Sequence, residues 1–79
     1  MIVLTRIIFV RHGQTSWNDS GLYQGHTDIP LNEIGFEQAA KAAQRLKDEK
    51  VTAIYSSDLL RAKQTAQIIA REHHFPVSV

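Results

Sequence analysis

The stretch that decides the fold is an apolar run ending in charged and polar residues, Ile7-Ile8-Phe9-Val10-Arg11-His12-Gly13-Gln14-Thr15. Its first four residues are β-branched or aromatic, and a continuous run of this kind is typical of a strand that is covered on both faces. Strands of this type lie in the middle of parallel sheets. We therefore predict a central parallel strand over residues 7–10, with Arg11 and His12 at its carboxyl end.

A long loop and a helix are predicted after this strand. Residues 14–30 lose periodicity and are rich in Gly, Asn, Asp and Pro, which favour turns and loops. Asn32 is placed to cap a helix that has Glu33 in its first turn and ends near Lys50. The apolar residues of this helix recur at helical spacing, at Ala39, Ala42, Ala43 and Leu46.

A second strand is predicted over residues 51–55, and residues 75–79 begin a third extended segment. Between them, Ser56, Ser57 and Asp58 can start a second helix by accepting hydrogen bonds from its free amides. This favours a capping role for the two serines over a nucleophilic one, since neither has a base beside it in sequence. The apolar stripe of the helix is formed by Leu59, Ala62, Ala66 and Ile69.

The order of elements predicts an α/β fold with parallel strands joined by right-handed crossovers. The predicted helices are too few to cover both faces of a three-stranded open sheet, and both of its edge strands would stay unpaired. We therefore expect residues 1–79 to be a single, incomplete domain.

Composition excludes several classes of function. The chain contains no Cys, which rules out disulfides and thiolate metal sites and suits a cytoplasmic location. Nine basic residues against eight acidic ones leave a net charge of +1, too balanced for a nucleic-acid or anionic-membrane footprint. The apolar start of the chain has no leader features and is too short to span a bilayer. Composition is compatible with a monomer and with a homo-oligomer.

The carboxyl edge of the predicted sheet brings chemistry-bearing residues together. In a parallel sheet ligands bind at that edge, where His12 follows the first strand and Arg61 lies in the first turn of the helix after the second. Free amides and the helix dipole favour an anion there. We predict that this edge binds a phosphate-like group.

The residue types around His12 suit phosphoryl chemistry. A neutral imidazole is a nucleophile, but attack on a phosphoryl dianion needs cations to offset repulsion and hold the transferring oxygens. Arg11 and Arg61 can supply these charges, because a guanidinium grips phosphate bidentately. Gly13 removes a side chain where a ligand approaches the backbone, and Asn18 offers an amide donor to a phosphate oxygen.

Other polar residues carry no predicted site. His26 lies in a polar loop without a ligand set, so no metal is predicted there. Glu72, His73 and His74 end a helix whose other end faces the site, and we interpret them as solvent-exposed. For Trp17, stacking on a substrate and covering the underside of the loop both stay open.

Several short motifs together resemble the histidine phosphatase superfamily, whose members are phosphoglycerate mutase-like. The centre of the resemblance is Arg11-His12-Gly13-Gln14-Thr15, with Trp17-Asn18 shortly after it. Similar residues fall where the family places them at Gln24-Gly25, Asp28, Pro30-Leu31, Gly35, Gln38-Ala39, Ser56-Ser57-Asp58-Leu59, Arg61-Ala62 and Thr65-Ala66. The resemblance covers essentially the whole chain. It implies a three-layer α/β/α fold with a mostly parallel sheet, of which this chain holds the N-terminal βαβαβ part.

This resemblance implies a phosphomonoester hydrolase that forms a phosphohistidine on His12, with Arg11 and Arg61 binding the phosphoryl group. It implies a substrate-binding set made up of Gly13, Thr15, Asn18, Gln24 and Gly25. A small phosphorylated metabolite is the implied partner, and neither a cofactor nor a metal is required.

The loop of residues 23–31 is more similar to the broad phosphatase branch than to the mutase branch, which favours a phosphatase over a mutase. Leu22 stands where many relatives carry Arg, so a contribution of that position to substrate charge is not expected here. The family's general acid and second His lie outside residues 1–79. A phosphoglycerate mutase and a non-catalytic phosphate-binding fragment therefore stay open as alternatives.

Overall fold

The computed structural model describes residues 6–16 and 28–79. In chain order, these residues form helix α1 (Glu33–Leu46), strand β1 (Ile54–Tyr55), helix α2 (Leu60–Ala70) and strand β2 (Val77–Ser78). The described part of the chain is thus a small α/β unit with two helices and a parallel pair of strands.

The two strands pair as the sequence predicts. Strands β1 and β2 are parallel, with Ile54 opposite Val77 and Tyr55 opposite Ser78. The ladder continues past β1, where the amide of Ser56 donates to the carbonyl of Ser78 at 2.9 Å. Helix α2 forms the connection between the strands, so the predicted order of strand, helix and parallel strand is confirmed for residues 54–78.

Helix α1 begins where the sequence predicts. The Asn32 side-chain oxygen accepts a hydrogen bond from the Gly35 amide at 2.7 Å, which confirms the predicted cap. Glu33 in the first turn and Arg45 in the last both suit the helix dipole. The helix ends at Leu46, earlier than the predicted end near Lys50. Ala39 and Ala43 are buried, while Ala42 and Leu46 are half-buried at the edge of the same face.

Loss of this cap gives a measurable stability change. We expect Asn32→Ala to lower the free energy of unfolding by about 1 kcal/mol, because the Gly35 amide loses its acceptor. Asn32→Ser should retain most of the stability, since a hydroxyl can accept the same bond. Urea unfolding of the three proteins measures the difference. Equal stability of wild type and Asn32→Ala would contradict the capping role.

Helix α2 begins differently from the prediction. Its first residue is Leu60, and the flanking Leu59 has no side-chain oxygen to cap it. The Leu60 amide instead donates to a carboxylate oxygen of Asp28, at 2.5 Å, from the loop before α1. At the first amide of the helix the acceptor is therefore Asp28 and not the predicted Ser56-Ser57-Asp58 cluster, and the hydroxyl of Ser56 donates to the carbonyl of Ser57. A residue distant in sequence supplies the acceptor.

The face of α2 that packs inward is also rotated from the predicted stripe. Four of its residues are buried, at Arg61, Thr65, Ile69 and Ala70. Of the predicted stripe only Ile69 is among them, while Leu59, Ala62 and Ala66 are half-buried. The spacing of four from Arg61 to Thr65 to Ile69 places these three side chains on one face of the helix. Polar side chains therefore share the interior with the apolar core.

The predicted central strand over residues 7–10 is not formed in the described structure. These residues have no strand pairing there, and the side chains of Ile7 and Phe9 are 68% and 90% exposed. A strand requires a neighbour about 4.8 Å away to complete its hydrogen bonds. An apolar cavity of about 700 Å³ instead lies between residues 7–10 and residues 51–55. The apolar run marks a strand-forming segment, but pairing decides whether a strand forms.

Candidate active site

His12 lies at a cavity of about 370 Å³ that is formed by the loop after residue 10 and by both helices. Its lining residues are Arg11, His12, Gly13, Gln14, Gln38, Ala39, Ala42 and Thr65. Three consecutive residues of the predicted site, Arg11, His12 and Gly13, line this cavity. The structure adds Gln38 from α1 and Thr65 from α2.

The imidazole of His12 is oriented by the backbone of its own loop. Its Nδ1 lies 2.7 Å from the carbonyl oxygen of Gly13. A carbonyl oxygen can only accept, so Nδ1 carries the hydrogen in this pair and donates it. In the neutral ring, Nε2 then holds the free lone pair. His12 is therefore arranged as a nucleophile or base through Nε2.

The amide of Gly13 is held by helix α2. It donates to the hydroxyl oxygen of Thr65 at 3.0 Å, and this hydroxyl donates in turn to the carbonyl of Arg61 at 2.8 Å. Thr65 is 4% exposed, so the arrangement is shielded from water. The loop that carries His12 is thus tied to the first turn of α2.

Helix α1 packs directly on the same loop. A Cβ on Gly13 would overlap the carbonyl of Gly35, and a Cβ on Gly35 would overlap the carbonyl of Gln14. The Asn32 amide donates to the Gln14 carbonyl at 3.0 Å, and its side-chain amide donates to the Gln14 side chain at 2.9 Å. Sequence reasoning assigned the small size of Gly13 to an approaching ligand. The structure gives another reason, since the backbone of α1 occupies that space.

This contact makes Gly35 sensitive to substitution. In an exposed helix, Gly→Ala adds up to about 1 kcal/mol of stability. At Gly35 we expect the opposite sign, a loss of about 1–3 kcal/mol, because the new methyl group meets backbone atoms that cannot rotate away. The control is Ala40→Gly on the exposed face of α1, which should cost about 1 kcal/mol. Thermal unfolding measures both, and a stabilised Gly35→Ala would contradict the close approach.

Arg61 lies in the first turn of α2, as predicted, but it is not among the residues that line the His12 cavity. It is 6% exposed and connects to the site through its carbonyl, which accepts from Thr65. Arg11 is exposed and lines the cavity beside His12. One of the two predicted cations is therefore at the cavity, and the phosphate contact of Arg61 stays a prediction.

The remaining predicted substrate-binding residues are not at the cavity or lie outside the described residues. Thr15 is fully buried and forms an antiparallel bridge with Leu31, so it holds the loop against the base of α1. Residues outside the described ranges include the predicted contacts Asn18, Gln24 and Gly25, and also Trp17, Leu22 and His26.

Sequence reasoning gave no role to Thr65 or Gln38, although both fall within motifs of the resemblance. The signal for Thr65 is its spacing of four from Arg61, which places both on one helix face. For Gln38 no local signal exists, because its side chain reaches across to the amide of Gln14, 24 residues earlier, at 2.8 Å.

Of the two histidines that follow α2, both predicted to be solvent-exposed, only one is exposed in the structure. His74 is exposed and has a φ of 59°, a left-handed conformation that ends the helical turn. His73 is half-buried at the 700 Å³ apolar cavity, and its Nε2 is buried without a hydrogen-bond partner among the described residues. The interpretation of His73 as solvent-exposed is therefore wrong. Within residues 6–16 and 28–79, no group of three or more His, Cys, Asp or Glu is placed to hold a metal ion.

Comparison with known proteins assigns the family. Residues 7–79 match the model of the histidine phosphatase superfamily (branch 1). The chain belongs to this superfamily. Individual proteins also share high sequence identity with this chain. It is 55% identical over 65 residues to phosphoglycerate mutase-like protein 4 of Arabidopsis thaliana, covering 81% of this chain and 28% of that protein.

Two further relatives of this superfamily are phosphatases by name. The chain is 52% identical over 69 residues to a metal-independent phosphoserine phosphatase of Arabidopsis thaliana, covering 86% of this chain and 29% of that protein. The structure of a mycobacterial glucosyl-3-phosphoglycerate phosphatase superposes with a TM-score of 0.83 at 40% identity, covering 86% of this chain and 32% of that one. The chain thus spans about a third or less of the length of these relatives.

The helices give one finding about membranes. Among the described residues, neither helix combines the length and apolar character needed to cross a bilayer.

Proposed function

We propose that this chain is the N-terminal part of a single histidine phosphatase domain that hydrolyses phosphomonoesters through a phosphohistidine on His12. One observation carries the proposal. Nδ1 of His12 donates to the Gly13 carbonyl at 2.7 Å, which leaves the lone pair on Nε2, beside a cavity that Arg11 also lines. A nucleophilic nitrogen with a cation next to it suits attack on a phosphoryl group.

The proposed reaction has two steps. In the first, Nε2 of His12 attacks phosphorus in line, a bond from nitrogen to phosphorus forms, and the bond from phosphorus to the ester oxygen breaks. The departing oxygen takes a proton from a general acid in the rest of the domain. In the second, water attacks the phosphohistidine, so inorganic phosphate leaves and His12 is restored. Arg11 and Arg61 hold the equatorial oxygens in both steps, and no metal takes part.

The proposed substrate is a small phosphorylated metabolite. Relatives that are named as phosphoserine phosphatase and glucosyl-3-phosphoglycerate phosphatase support hydrolysis of small phosphomonoesters. The nearly balanced net charge of +1 argues against a nucleic-acid or membrane partner. The absence of Cys supports a cytoplasmic location. A homo-oligomer is compatible with this proposal.

A second candidate function is phosphoglycerate mutase, in which the phosphoryl group returns to a sugar-acid hydroxyl and not to water. The 55% identity to phosphoglycerate mutase-like protein 4 supports it. Incubating the complete domain with phosphoserine and, separately, with 3-phosphoglycerate distinguishes the two. Release of inorganic phosphate without isomer formation is expected. Isomer formation in excess of phosphate release would favour the mutase, and saturable phosphate binding with neither product would favour a non-catalytic protein.

A further inference from the structure

The peptide unit between Gly13 and Gln14 is held at both of its ends. Its carbonyl oxygen accepts from Nδ1 of His12 at 2.7 Å. Its N–H donates to the side-chain oxygen of Gln38, on helix α1, at 2.8 Å. Because a peptide unit is planar, fixing the N–H fixes the direction of the carbonyl. A hydrogen bond that restrains this N–H therefore also restrains the direction of the Gly13 carbonyl.

The preceding peptide unit, between His12 and Gly13, is held from the other helix. Its N–H donates to the Thr65 hydroxyl oxygen at 3.0 Å. The only hydrogen of that hydroxyl is directed to the carbonyl of Arg61, at 2.8 Å, so a lone pair of the oxygen faces Gly13. Thr65 is buried, and water does not readily replace it.

The hydrogen bonds on the two peptide units beside Gly13 matter because glycine itself does little to restrain the backbone. Without a Cβ, its φ and ψ have more freedom than those of any other residue, so the peptide units on either side can rotate unless something holds them. A rotated Gly13 carbonyl would leave Nδ1 without its acceptor, and the hydrogen could then move to Nε2. That tautomer presents no lone pair at Nε2.

We propose that Thr65 and Gln38 are positioning residues that hold His12 in the tautomer with hydrogen on Nδ1. They act through the two peptide units that flank Gly13. The catalytic consequence rests on the proposed function, but the effect on the tautomer does not. Misplacing a reacting group by about 1 Å can cost on the order of 100-fold in rate, so we expect kcat to fall about 10- to 100-fold when either support is lost.

The direct test is the tautomer of His12, read from the ¹⁵N shifts of its ring nitrogens in the complete domain. Wild type should show hydrogen on Nδ1. Thr65→Val and Gln38→Leu should each shift the population toward hydrogen on Nε2, with the larger shift for the buried Thr65. Thr65→Ser and Gln38→Glu keep an acceptor oxygen and should retain the wild-type signal. Gln44→Leu, on the exposed face of α1, is the matched control and should change nothing.

Kinetics provide the second readout. For Thr65→Val and Gln38→Leu, kcat should fall with little change in KM, and the conservative variants should restore most of it. If Thr65→Val and Gln38→Leu shift the tautomer but the wild-type protein forms no phosphohistidine, the positioning role is upheld and the proposed function is refuted. An unchanged tautomer in Gln38→Leu, whose exposed site tolerates substitution, would overturn the inference even if Thr65→Val fails to fold. The inference would also be overturned if Thr65→Val and Gln38→Leu lowered the melting temperature but kept the wild-type kcat.

Discussion

His12→Ala is expected to abolish phosphoenzyme formation and to lower turnover of a phosphomonoester by on the order of 10⁴-fold or more. The physical reason is that Nε2 of His12 is the nitrogen with a free lone pair at the cavity that Arg11 also lines. An alanine leaves the cavity and its cation in place but removes the atom that bonds to phosphorus. Binding of inorganic phosphate should therefore survive better than turnover.

The measurement is incorporation of ³²P into the complete domain, followed by hydrolysis of a chromogenic phosphomonoester. Because the phosphoryl group is expected on nitrogen, the label should be lost in acid and survive alkali. His74→Ala is the matched control, since it removes an exposed imidazole at the end of α2 and should leave both readouts unchanged. Full activity of His12→Ala, or a label that is stable in acid, would remove His12 from the mechanism.

The second large effect is expected at Arg61. Arg61→Ala should lower kcat/KM by roughly 10²- to 10³-fold, the cost of losing one preorganised donor to the charge that develops in the transition state. Arg61→Lys should recover only part of the loss, because a point charge replaces a two-pronged guanidinium. Arg61 lies in the first turn of α2, where free amides and the helix dipole favour an anion, and Thr65 of the same helix holds the loop of His12.

Arg61 is buried, so its substitution must be separated from simple loss of folding. The melting temperature of Arg61→Ala is measured alongside its kinetics, and the comparison uses temperatures at which the variant is fully folded. Lys47→Ala, an exposed cation just after α1, is the control and should change kcat/KM little. Equal effects at the two positions would show that Arg61 takes no part in phosphate recognition.

Local features of the sequence determined several elements of this protein. Asn32 caps α1 because its side chain accepts from an amide only three residues away, and that geometry requires no other part of the chain. The β1, α2 and β2 succession follows from short segments whose apolar patterns differ in period. Arg11, His12 and Gly13 are held together by the chain itself because they are consecutive.

Contacts between distant residues decided the rest, since no local pattern encodes them. Asp28 provides the acceptor at the start of α2, although Ser56, Ser57 and Asp58 lie much closer to it in sequence. The segment of residues 7–10 has the composition of a central strand but forms none in the described structure, because strands depend on a partner. Gln38 and Thr65 reach the peptide units beside Gly13 only because α1 and α2 both pack on that loop. The orientation of His12 is thus a tertiary property, even though its place in the motif is readable from sequence.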